Sequence, residues 1–117
     1  MKIPKRGDLV YLNFSPQIGH EQAGHRPAIV LSPKKFNEAQ KFAIVCPITS
    51  RKKGYPFEIG LPDDLLISGV ILSDQVRSLD WRARNLKIKD KAPVEIINKC
   101  IKRIHKILYV SDYARDN

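Results

Sequence analysis

Apolar positions along the chain fall in short blocks separated by polar, glycine- or proline-bearing stretches, and one block alone repeats at helical spacing. Residues 8–14 (DLVYLNF) follow a Gly-Asp turn signal and are rich in strand formers, which predicts a first, mostly covered strand. Residues 28–31 (AIVL) form a short run suited to a sheet interior, ended by Pro33. The polar segment KKFNEAQK then predicts a short helix or a turn. Residues 42–48 (FAIVCPI) predict a third strand, whose Pro47 cannot donate to a ladder and is expected at an edge or a bulge. Residues 57–61 resume the strand pattern. Residues 69–79 (GVILSDQVRSL) predict one long strand, bulged or bent at Ser73, Asp74 and Gln75. Trp81 is expected as a core or interface anchor, with stacking on a base as the alternative.

The helical block is residues 93–109, where Val94, Ile97, Ile101, Ile104 and Leu108 recur at steps of three and four. Pro93 suits a helix start, Glu95 stands in the first turn, and Lys102, Arg103 and Lys106 lie toward the end, as the helix dipole favours. Five or so strands, one C-terminal helix and little β-α alternation predict a mainly β, antiparallel, barrel-like sheet with a helix against it. The chain reads as one domain over residues 1–117, with a core at about 4–109. Residues 110–117 carry too little apolar surface to hold themselves and are expected to fray or to depend on a partner.

Charge sharpens this outline. Against 12 Asp and Glu stand 21 Lys and Arg, a net charge of +9 that calls for a polyanionic partner: nucleic acid, an acidic protein or a membrane surface. The charge is spread along the chain, as on a folded body. No apolar run approaches the roughly 20 residues that span a bilayer, and MKIPKRGD lacks a signal-peptide core, so the expectation is a cytoplasmic chain. Cys46 and Cys100 have no close-spaced partners and read as buried free thiols.

Residues 17–27 (QIGHEQAGHRP) concentrate two histidines, a carboxylate and an arginine among two glycines, a composition that fits no regular strand and makes a poor helix. It reads either as a working loop on a rigid scaffold or as a long solvated connection. HEQAGH is not the zinc motif HExxH: its histidines stand five apart and a glycine intervenes. No phosphate loop, nucleophile elbow or carboxylate cluster is present, and the adjacent Asp63 and Asp64 are turn formers. What remains is acid, base and cation chemistry with neither metal nor cofactor. Such chemistry can cleave RNA through its own 2'-hydroxyl, given a base, a cation on the phosphate and an acid for the leaving oxygen. Glu21, His20, His25, Arg26, Thr49 and Ser50 can fill these roles, though composition alone does not single them out.

The segments GDLVYLNFSP, GHEQAGHRPAIVLSP, VCPITS, KGYPFE and SDQVRSLDWRAR, in this order from about Pro4 to Leu108, closely resemble the MazF/PemK toxins of bacterial toxin-antitoxin modules. The resemblance implies an SH3-like antiparallel β-barrel with a C-terminal helix, acting as a homodimer. It further implies a metal-independent endoribonuclease that cuts single-stranded RNA, chiefly mRNA, and leaves a 2',3'-cyclic phosphate and a 5'-hydroxyl. The family's catalytic arginine falls on Arg26 and its catalytic threonine on Thr49, with Glu21 a candidate base or acid. His20, Ser50, Asp74, Gln75 and Arg77 match positions the family uses around RNA; His25 joins them as a candidate. Where the PemK branch has a catalytic arginine two residues before the aspartate of the Asp-Gln pair, this chain has Leu72, so it is closer to the MazF branch.

Arg51, Lys52, Lys53 and Arg77 are assigned to steering the RNA backbone; a solvated charged turn is the alternative. A disordered acidic antitoxin would suit a +9 surface and order as it binds. Two other readings stay open: a toxin like CcdB that binds gyrase without catalysis, and a plain RNA-binding module.

Overall fold

The computed structural model describes residues 2–15 and 24–109. Its elements are β1 (Asp8–Asn13), β2 (His25–Val30), α1 (Lys34–Gln40), β3 (Phe42–Thr49), β4 (Glu58–Gly60), β5 (Val70–Leu72), β6 (Arg77–Asp80), β7 (Lys87–Lys91) and α2 (Val94–Leu108). Among the described residues seven strands form one antiparallel sheet in the order β4-β5-β3-β2-β1-β7, with β6 also paired to β3.

Strand alternation sorts the apolar residues into two cores. Leu9, Ile29, Cys46, Ile48 and Ile71 face α2, which contributes Ile96, Ile97 and Cys100. Val10, Leu12, Phe14, Ala28, Val30 and Val45 face the other way, covered by Leu79, Trp81 and Leu86. Both faces of the central strands are therefore dry, which is why residues 8–14 and 28–31 read as nearly continuous apolar runs. The pairing runs from β4 to β7 without joining them among the described residues, so the expected barrel is an open one.

Four expectations change. Pro47 is neither at a sheet edge nor in a bulge: it is wholly buried opposite Ala28, where β3 passes from its pairing with β6 (through Val45) to its pairing with β5 (from Ile48). The missing N–H thus falls in the gap between two ladders. Residues 69–79 make two strands, because Ser73, Asp74 and Gln75 form a turn closed by the Gln75 N–H on Leu72 O at 3.1 Å. β7 was hidden from the periodicity by its composition, KIKDK; its lysines blunt an edge of the sheet. On α2, the side chains that pack on the sheet are Ile96, Ile97 and Cys100, with Ile104 half-buried, while Val94, Ile101 and Leu108 are exposed. Ile96 and Cys100 lie one turn apart and seat the helix, rotating the predicted stripe outward.

One buried polar cluster locks the α1 side. The wholly buried Asn37 donates Nδ2–H to Pro4 O (2.8 Å) and Ser32 O (3.0 Å), while its Oδ1 accepts from Ser32 Oγ (2.5 Å). Trp81 donates its indole N–H to Asn37 O at 2.9 Å. The tryptophan is a core anchor, as expected, with its polar handle satisfied. Both cysteines are buried and free. Burial pushes the Cys100 thiol up to about 11, and burial, then Cys100 and Asp74, push Cys46 higher still.

Candidate active site

The antiparallel order collects the end of β1, the start of β2, the end of β3 and the start of β6 at one end of the sheet. β2 and β3 pair Val30 with Val45 and Ala28 with Pro47, the last pair of that ladder; Arg26 and Thr49 each stand two residues beyond it, with Thr49 paired to Val70 on β5. Alternation gives these two the face of Ala28 and Val45, the face of the second core. Arg77, two residues before Leu79 and opposite Val45, shares it. Three residues far apart in sequence therefore share one face of the sheet: an exposed Arg26, a half-buried Thr49 and a half-buried Arg77.

His25 does not join them. It pairs with Asn13, and alternation turns it to the opposite face from Arg26, where its ring stacks on Tyr11 at 6.0 Å between centroids and 8° between planes. The end of the 17–27 stretch is thus strand: residues 25–27 open β2, and Pro27 lies opposite Tyr11. The glycine-rich composition that argued against a strand belongs to the residues before them. His20 and Glu21 lie outside the described residues, as does the tail at 110–117.

Thr49 is held from two sides. Its Oγ1 accepts the Arg51 N–H at 3.1 Å, which starts the basic turn. Its carbonyl lies against Gly69, where a Cβ would come within 2.3 Å of Thr49 O and where φ is +120°. Glycine is required there for both reasons. Gly69→Ala is expected to lower the unfolding free energy by about 1–3 kcal/mol in urea titration, as the strained backbone and the displaced Thr49 carbonyl share the cost.

The turn after Thr49 presents exposed Ser50, Arg51, Lys52 and Lys53, but it is not a loose tip. The Glu58 carboxylate on β4 accepts the Lys53 N–H at 3.0 and 3.2 Å and the Gly54 N–H at 2.9 Å. Charge-assisted acceptance of backbone donors fixes the turn and leaves its cationic side chains outward. Glu58 was quoted in KGYPFE without a role; the signal was a carboxylate a few residues beyond a basic, glycine-bearing turn.

Asp74 is exposed and Gln75 half-buried in the turn between β5 and β6. That turn is tied to β4 by Ser73, whose Oγ–H donates to Phe57 O at 2.6 Å. Arg77 is already engaged: its guanidinium lies 5.5 Å from the Phe14 ring centroid and donates to Phe14 O at 3.4 Å. Among the described residues, no three His, Cys, Asp or Glu side chains gather as metal ligands would.

The arrangement offers a permanently charged fork and a hydroxyl on one face, with a cationic turn beside the hydroxyl. The model of the PemK-like, MazF-like toxins of type II toxin-antitoxin systems matches residues 5–108. The endoribonuclease toxin MazF of Escherichia coli strain K12 is 46% identical over 95 residues, covering 80% of this chain and 85% of that protein. The endoribonuclease PemK of Escherichia coli is 32% identical over 110 residues, covering 89% and 81%. A crystal structure of MazF from Deinococcus radiodurans superposes with a TM-score of 0.89 at 47% identity, covering 92% of this chain and 98% of that one. A MazE-MazF crystal structure from the same organism gives 0.84 at 47% identity, covering 92% and 97%. With the family model spanning nearly the whole chain and the fold superposing on MazF, the chain belongs to the PemK-like, MazF-like toxins of type II toxin-antitoxin systems.

Proposed function

We propose that this chain is an endoribonuclease toxin that cuts single-stranded RNA without a metal, by attack of the RNA's own 2'-hydroxyl. The observation that supports the reading is that Arg26 and Thr49 lie on one face of adjacent strands, each two residues beyond the last β2–β3 pair, in a chain whose relatives include endoribonucleases. The 2'-oxygen bonds to phosphorus, the bond to the 5'-oxygen breaks, the 2'-hydroxyl proton passes to a base and the 5'-oxygen takes a proton from an acid. Products are a 2',3'-cyclic phosphate and a 5'-hydroxyl.

Arg26 sets its planar fork against the phosphorane, where two donors match two oxygens. Thr49 donates its hydroxyl to the same phosphate, its Oγ1 oriented by the Arg51 N–H. Glu21 is the candidate base or acid. His20, Ser50, Asp74 and Gln75 line the RNA path, with Arg51 and Lys53 drawing in the backbone, while His25, on the opposite face, is left out of it. The protein acts in the cytoplasm, and among the described residues no helix is long and apolar enough to cross a membrane. Its regulator is an acidic antitoxin, matched to the +9 charge. It assembles as a homodimer, to which the exposed Val94, Ile101, Ile107 and Leu108 of α2 lend apolar surface.

The test is incubation of the purified protein with a mixed single-stranded RNA in EDTA. Fragments ending in cyclic phosphate are expected. RNA that stays intact over a wide range of protein concentration overturns the enzyme reading: retention of that RNA on the protein then identifies a binding module, and inhibition of gyrase a CcdB-like toxin.

A further inference from the structure

The connection from β1 to β2 leaves the sheet at Phe14 and Ser15 and returns at Gly24, beside Arg26. Its root is closed by main-chain bonds: Phe14 N–H to Gly24 O at 2.7 Å, and Gly24 N–H to Ser15 Oγ at 3.0 Å. Against that root lies Arg84, the second arginine of WRAR, to which the catalytic reading gives no role. Arg84 Nη1 donates to Asn13 O at 3.1 Å and to Ser15 O at 2.7 Å, and Asn13 N–H donates to Arg84 O at 2.9 Å. A single side chain thus bridges the last residue of β1 and the second residue beyond it.

The turn that carries Arg84 is built to aim it. The Asp80 carboxylate accepts the N–H groups of Arg82 (3.2 Å) and Ala83 (3.0 Å), and Asp80 O accepts that of Arg84 (3.1 Å). Asn85 takes the left-handed conformation at φ 58°, a position that asparagine tolerates better than most residues, and it reverses the chain toward Leu86. Leu86 N–H returns to Trp81 O at 3.1 Å, and both of these side chains are buried. Arg82, in the same turn, is exposed, and Arg84 is half-buried.

We propose that Arg84 is a positioning residue for RNA cleavage: its guanidinium fixes the root of the β1–β2 connection and so holds Arg26 in its place opposite Leu12. The inference rests on the endoribonuclease reading above. Asn13 pairs with His25 and Leu12 with Arg26, so a shift at Asn13 is transmitted through the ladder to the residue meant for the phosphate. A misplacement of about 1 Å at a reacting group costs on the order of 10²-fold in rate.

The test compares Arg84→Ala, Arg84→Lys and Arg82→Ala in single-turnover cleavage of one defined RNA, with KM, melting temperature and the salt dependence of RNA binding measured for each. Expected for Arg84→Ala is a kcat lower by on the order of 10- to 100-fold with KM nearly unchanged. Arg84→Lys, which keeps the charge and one donor toward Asn13 O and Ser15 O, should recover part of kcat, with the melting temperature reporting the fold of each variant. Arg82→Ala should cut at the parental rate. The slope of log affinity against log salt should be unaltered in Arg84→Ala, since a lost phosphate contact would reduce it by about 0.7. Parental kcat in both Arg84 variants overturns the proposal, as does a loss confined to KM with the shallower salt slope, which would make Arg84 an RNA contact. If the unsubstituted protein itself does not cut RNA, it is the endoribonuclease reading that fails.

Discussion

Arg26→Ala lowers the single-turnover rate of RNA cleavage by on the order of 10²- to 10³-fold, the usual loss when one preorganised donor to a developing charge is removed. The expectation follows from register rather than from proximity in sequence. Arg26 and Thr49 each lie two residues beyond the Ala28–Pro47 pair and on the same face, the placement from which the proposed reading has both meet one phosphate. Arg26→Lys keeps the charge but not the bidentate geometry, and should recover only part of the rate. Because Arg26 is exposed, the alanine variant should melt with the parental protein. Cleavage by Arg26→Ala at the parental rate would remove the residue from the mechanism.

The largest stability effect is expected far from the chemistry. Asn37→Leu keeps the side-chain volume but removes every polar partner that Pro4 O, Ser32 O and the Ser32 hydroxyl find in Asn37. Each buried group left unpaired costs about 1–3 kcal/mol, so a total of about 3 kcal/mol or more is expected against a typical domain stability of about 5–15 kcal/mol. Equilibrium unfolding in guanidinium should show the transition at much lower denaturant with its slope unchanged. A midpoint within experimental error of the parental one would mean that water or a neighbour replaces the amide.

The sequence made some of this visible for simple physical reasons. DLVYLN and AIV are strands whose two faces are both dry, so composition alone reveals them. Pro93 and the acidic first turn mark the start of α2 in any context. The face of α2 was harder to read, because it carries isoleucine on more than one side and only packing chooses between Ile101 and Ile96. KIKDK carries a single apolar side chain and becomes a strand through its partner β1. For the candidate site, the resemblance named Arg26 and Thr49, and strand pairing and alternation put them on one face of adjacent strands. The Glu58 anchor, the Gly69 contact and the Arg84 bridge are long-range main-chain bonds or steric fits, and periodicity carries no trace of those.

The two core cysteines give the molecule an internal clock. Cys46 on β3 and Cys100 on α2 belong to one dry cluster, and burial keeps both thiols protonated, whereas alkylating reagents attack only the thiolate. Chemical modification must therefore wait for α2 to lift from the sheet. The rate at which the thiols are consumed measures how often the helix undocks, on the same strand whose last residue is Thr49.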